Sequence, residues 1–253
     1  MIWPRPLFAP TGAVSRCSFL VFSPTEFPAL QPGEGVQWGF LRKDKTPEMF
    51  ARMETLAQGA HVSDELLETL QATQFAGNVQ CEATDPKDLG YLQACWAAVR
   101  SLVDSSATVV LDVESGNWLS AEDVRARPET FTFENEVSLH TFPVHGEPWW
   151  SIHTNGMGKF GRHELILFVP SEGEHDLEAD VRTGNLPSWT ETVLVKFASD
   201  SALGLPIEVG TRLQFGSMFF TAERCEPGRN APEQLDENFL VLVNQESRTA
   251  FAD

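Results

Sequence analysis

Apolar residues recur along the chain with two periods, and the change from one to the other marks out its elements. Cys17–Ser23 is a β-branched and aromatic run stopped by Pro24, and Val36–Leu41 alternates apolar with small or polar residues. Both read as strands, joined by a Pro- and Gly-rich loop over 24–35. Thr46 followed by Pro47 predicts a helix start, and Met49, Phe50, Met53, Leu56 and Ala57 then keep to one helical face. Ser63-Asp-Glu opens a second helix carrying Leu66, Leu67 and Leu70. Phe75–Ala83 predicts a strand, Asp85-Pro86 the cap of a longer helix bearing Leu89, Leu92, Cys95, Trp96, Val99 and Leu102, and Thr108–Val113 a buried strand.

Ser120–Val124 predicts a short capped helix ending before Pro128. From about residue 131 the pattern favours strands, over 136–142, 149–154, 164–169, 192–197, 212–220 and 239–243. The proline-rich first dozen residues are expected to wrap the surface. The expected class is α+β, with mixed or antiparallel sheets, helices packed on one face, a helix-rich N-terminal half and a strand-rich C-terminal half. No flexible linker stands between the halves, so two closely packed subdomains are expected, 1–125 and 126–253.

Charge changes the picture of what such a fold could bind. Against 18 Lys+Arg stand 36 Asp+Glu, a formal net charge of −18. Nucleic-acid binding needs clustered positive charge to displace counterions, and attraction to an anionic membrane surface needs the same, so neither partner is expected. No apolar run is long enough to span a bilayer as a helix, and the start of the chain does not read as a signal peptide, which makes a cytoplasmic protein the expectation. The four cysteines, Cys17, Cys81, Cys95 and Cys225, lack metal-ligand spacing and are expected to be buried thiols. His140 and His145 offer only a weak metal signal, and no metal or cofactor is expected. The common signatures of serine hydrolases, nucleotide-binding proteins and zinc proteases are absent.

The string with most chemistry is Trp149-Trp-Ser-Ile-His-Thr-Asn-Gly-Met-Gly-Lys-Phe-Gly-Arg-His-Glu164, which runs from one predicted strand through three glycines into the next. Two detailed readings of it stand beside a third, in which it is an interaction surface. In the first it is an irregular hairpin, tied by His153 and Thr154, plugged into the core by Phe160, with Glu164 paired to Arg162 or Lys159. In the second it is a site: His153 and Glu164 act as acid and base, Thr154 and Asn155 orient a substrate, and Lys159 and Arg162 clamp an anion. Elsewhere, Glu172, Glu174, Asp176, Glu178 and Asp180 put five acids in nine residues, an acidic surface for a basic protein partner.

The residues His153-Thr-x-Gly-Met-x-x-Phe-Gly-x-x-Glu-Leu165 resemble a string found in a group of uncharacterised bacterial domains of unknown function. Val110–Val124 is similar to a segment of the same group, and the likeness spans about residues 75–170. His163 stands where many of those domains have Pro. The resemblance implies an α/β domain, and some of the group are similar to proteins found beside secreted antibacterial toxins. Together with the acidic balance it leads to the expectation of a non-enzymatic cytoplasmic binding protein, an immunity protein that masks a cognate toxin. A small-molecule enzyme or ligand-binding module using the 153–164 loop is the competing expectation.

Overall fold

The structure, a computed structural model, describes residues 2–29, 33–144, 149–170, 189–227, 230–231 and 239–244. The chain is α+β and divides into two compact units. The first takes Met1–Pro4 and Gly12–Glu136, the second Arg5–Thr11 and Val137–Asp253.

The first unit is built on β1 (Val14–Ser23), β2 (Gln37–Arg42), β3 (Phe75–Thr84), β4 (Val109–Asp112) and β5 (Asn117–Ser120), in the order β2-β3-β1-β4-β5 with every neighbour antiparallel. Its helices are α1 (Pro47–Gly59), α2 (Asp64–Gln71), α3 (Gly90–Ser105), α4 (Ala121–Ala126) and α5 (Phe133–Glu136). Side chains alternate across a strand, so the apolar run of β1 supplies both faces. Phe22 joins Phe50 and Met53 of α1 and Leu70 of α2 in one buried cluster, while Phe19 meets Trp96 of α3, ring centroids 4.4 Å apart. Helices therefore cover both faces of this sheet rather than the single face expected. The reason is that β1 is apolar at Phe22 as well as at Cys17, Phe19 and Val21.

The caps follow the sequence closely at two helices. Ser63 Oγ accepts the Leu66 amide at the start of α2, and Ser120 and Asp123 form a reciprocal capping box on α4. Asp85 is not a cap. It sits at φ +44°, its carboxylate accepts the Gly12 amide at 2.6 Å, and α3 begins five residues later at Gly90. After α4 the chain turns back on α3: Arg127 donates to Glu136 at 2.7 Å and its guanidinium lies 3.9 Å from the Trp96 ring centroid, while Trp96 Nε1 donates to Glu136 at 3.2 Å.

The second unit holds β6 (Ser138–Pro143), β7 (Trp149–Asn155), β8 (Glu164–Pro170), β9 (Arg212–Phe215), β10 (Met218–Arg224) and β11 (Phe239–Asn244), ordered β6-β7-β8-β11-β10-β9. The β8–β11 pair is parallel and the other neighbours are antiparallel. A 3₁₀ turn (Met157–Phe160) and α6 (Trp189–Ala202) complete it among the described residues.

The expected strand over 192–197 is instead the middle of α6. Thr192-Val-Leu-Val favours a strand locally, but Val193, Leu194, Phe197, Ala198, Ser201 and Ala202 are all buried at helical spacing, and that tertiary burial overrides propensity. The expected strand over 212–220 is a hairpin, β9 and β10, turned at Gly216 with φ +59°. A division into a helical half and a strand half does not clearly separate the units, since each is built on a sheet, of five and six strands among the described residues. No helix among the described residues is long and apolar enough to cross a membrane.

Candidate functional site

β7 ends at Asn155, and the backbone then takes two conformations that favour glycine: φ +121° at Gly156 and a left-handed φ +63° at Gly161. Between them the Met157–Phe160 turn is closed by Lys159 N to Gly156 O and Gly161 N to Gly158 O, and Arg162 N returns to Met157 O. Met157, Lys159 and Phe160 are enclosed, so the turn points inward as a plug. β8 starts at Glu164 and pairs antiparallel with β7, with His153 opposite Ile166.

This geometry folds the Glu164 carboxylate back over the start of the turn. One oxygen accepts the amides of Gly156 at 2.9 Å and Met157 at 2.7 Å, and the other accepts the Thr154 hydroxyl at 2.7 Å. Thr154 Oγ1 in turn accepts the Leu165 amide at 2.9 Å. Burial pushes the Glu164 carboxyl above its ordinary value, against the pull of the Thr154 hydroxyl and the Gly156, Met157 and Gly158 amides, which favour the charged form. The carboxylate thus serves donors that a turn would otherwise leave unmet. Of the first reading, the Thr154 tie and the Phe160 plug are present, while Glu164 takes Thr154 and backbone amides in place of Arg162 or Lys159 and His153 does not join the tie.

His153 lies on the opposite face of β7 from Thr154, as neighbours in a strand must. Its ring stacks with His140 at 5.7 Å and Phe142 at 5.5 Å, and Phe239 meets it edge-on at 5.3 Å. Its Nδ1 is buried with no hydrogen-bond partner among the described residues, and burial, with the His140 ring as a lesser cause, brings its pKa down to about 4. His140 Nε2 lies 3.0 Å from Ser138 Oγ. The structure therefore brings Thr154 and Glu164 together and leaves His153 outside that network. Among the described residues no hydrogen bond joins His153 to Glu164, so the shared proton path that an acid and a base need is not formed.

The two cations of the string are also spoken for. Lys159 has no exposed surface. Arg162 donates to Ser201 O and Gly204 O at the end of α6, at 3.3 and 3.0 Å, and to Thr11 Oγ1 at 3.0 Å and Ala9 O at 3.5 Å. Arg5, which the sequence did not single out, does similar work: it is 5% exposed and donates to Ala202 O and Phe160 O, both at 3.1 Å. The last carbonyls of a helix lack intrahelical donors and carry its negative end, which makes them a natural seat for guanidinium groups. Leu7 N to Leu203 O and Ala9 N to Gly204 O complete a strap of residues 5–11 across this helix end. Only the surroundings of Arg5, between Pro4 and Pro6, hinted at a fixed segment.

Asn155 stays at the strand end, its carbonyl accepting Ser138 Oγ at 3.4 Å. Glu172, Glu174, Asp176, Glu178 and Asp180 lie outside the described residues, as does His145. Among the described residues no group of three His, Cys, Asp or Glu side chains is arranged to hold a metal ion. No family model, no curated protein and no solved structure matches the chain.

Proposed function

We propose that the protein is a non-enzymatic acidic binding protein of the cytoplasm, whose partner is a basic protein and whose role is that of an immunity protein masking a cognate toxin. The observation that carries this reading is the charge. The net −18 divides into 9 − 16 = −7 for residues 1–126 and 9 − 20 = −11 for residues 127–253. Strong charge of one sign speeds encounter with a partner of the other sign and keeps nucleic acid from competing. The five acids between Glu172 and Asp180 form the densest stretch and are the first candidate contact. The commitment of Thr154, Glu164 and Arg162 to internal hydrogen bonds supports the binding reading over a catalytic loop.

Titration of the purified chain against the product of the neighbouring gene tests it. A complex at micromolar concentration or tighter, weakened by salt and by replacing the 172–180 acids with their amides, is expected. Absence of any complex with adjacent-gene products overturns the immunity assignment.

A further inference from the structure

Three of the four cysteines, from three different elements, meet inside the first unit. Cys17 and Cys81 are register partners on β1 and β3, and Cys95 comes down from α3. Cys17 Sγ lies 3.0 Å from Cys95 Sγ and 3.8 Å from the Cys81 carbonyl, while the Cys81 thiol donates to the Glu82 carbonyl at 3.8 Å. All three are buried, at 1%, 4% and 0% exposure. The fourth, Cys225, packs in the second unit with Ile166, Ala231 and Val241. Nothing in the sequence spacing announces this cluster, because its members are brought together by strand register and helix docking.

We propose that Cys17 and Cys95 are a reversible dithiol–disulfide pair that joins β1 to α3 when the protein meets a peroxide. Their sulfurs need to close by only about 1 Å to reach the roughly 2.05 Å of a disulfide bond. Hydrogen peroxide oxidises one sulfur to a sulfenic acid and releases water. The second thiol then attacks that sulfur, the S–S bond forms, and the displaced hydroxide leaves as water with the second thiol's proton. Two thiols and one peroxide thus give one disulfide and two waters. Burial decides the rate, since the oxidant reaches the pair only through local opening, while proximity decides the product. Cys81, whose thiol is pushed up by the neighbouring Cys17 and by burial, is the bystander. The bridge would close a loop with a sequence separation of 95 − 17 = 78 residues, so it restricts the unfolded chain strongly.

The test treats the folded full-length chain with hydrogen peroxide, blocks remaining thiols, digests without reduction and maps the linked peptides by mass spectrometry. The expected product is a Cys17–Cys95 link, lighter by two hydrogens and removed by dithiothreitol, in wild type, C81S and C225S. It is absent in C17S and in C95S. Where C95S fails to fold, Cys95→Ala keeps the control. Sulfinic acid in place of a bridge, a bridge through Cys81, or Cys17 and Cys95 as fully alkylated after oxidation as Cys225 overturns the proposal.

Discussion

Thr154 gives its hydroxyl proton to Glu164 at 2.7 Å while accepting the Leu165 amide at 2.9 Å, so one side chain joins the end of β7 to both the carboxylate and the backbone of β8. A hydroxyl with both functions used cannot be replaced by its isostere without loss. Thr154→Val keeps the shape and leaves two polar groups unmet inside, at about 1–3 kcal/mol each. The expected cost is about 2–4 kcal/mol in urea unfolding. A double-mutant cycle with Glu164→Gln should show coupling of about 1 kcal/mol or more, because the two groups share a bond. Additive losses would mean that Thr154 acts through Leu165 alone.

Gly161 makes the next prediction, through its backbone rather than its contacts. At φ +63° it sits in the left-handed region, which costs an ordinary L-residue about 1–2 kcal/mol and a β-branched one more. Gly161→Val should lower the melting temperature clearly, and Gly161→Asn should lower it much less, since Asn tolerates this conformation. Wild-type melting of the valine variant would refute the tight turn.

The two arginines at the end of α6 carry a third. Removing Arg162 or Arg5 strips charged donors from the carbonyls of Ser201, Ala202 and Gly204, and hydrogen bonds to charged groups are worth about 1.5–3 kcal/mol. Arg162→Ala and Arg5→Ala should each destabilise by about that much. Gly204→Ala should be worse than an ordinary exposed Gly→Ala change, since φ is +118° and a Cβ there would lie 2.4 Å from the Phe8 backbone. Arg162→Ala with unchanged stability but lost anion binding would return the arginine to the role of a clamp.

These residues also mark how far the sequence could be read. Ser63 and Ser120 announced their helices because a cap is a local device, settled within one turn. The polar string of 153–164 announced a special loop, and the glycine spacing was right about its backbone. Its inventory of charges was misleading, because Arg162 answers to a helix end and a strap far away in sequence, and no local pattern encodes that. Thr192–Phe197 failed for the same reason in reverse: its β-branched residues are placed by the sheet they cover. The thiol cluster is the extreme case, visible only once β1, β3 and α3 are assembled.

His153 gives a prediction with a sign that can be checked. Its ordinary pKa of 6.5 falls to about 4 in the fold, since burial disfavours the charged ring. Between these values the unfolded chain holds a proton that the folded chain refuses, so the stability contributed by neutral His153 is complete above pH 6.5 and is lost as pH falls toward 4. The ring is partly exposed, so solvent screening reduces the full linkage value to about 1–2 kcal/mol. Glu164 pulls the other way. Its raised carboxyl favours the protonated folded form, so its unfavourable contribution grows as pH rises above the ordinary carboxyl value. Replacing His153 with Phe, which suits the stack of His140, Phe142 and Phe239, should therefore flatten the acid limb of the stability curve while leaving neutral stability near wild type. Urea unfolding from pH 7 to 4 decides it, and an acid limb that is unchanged in His153→Phe would place the titration on another group.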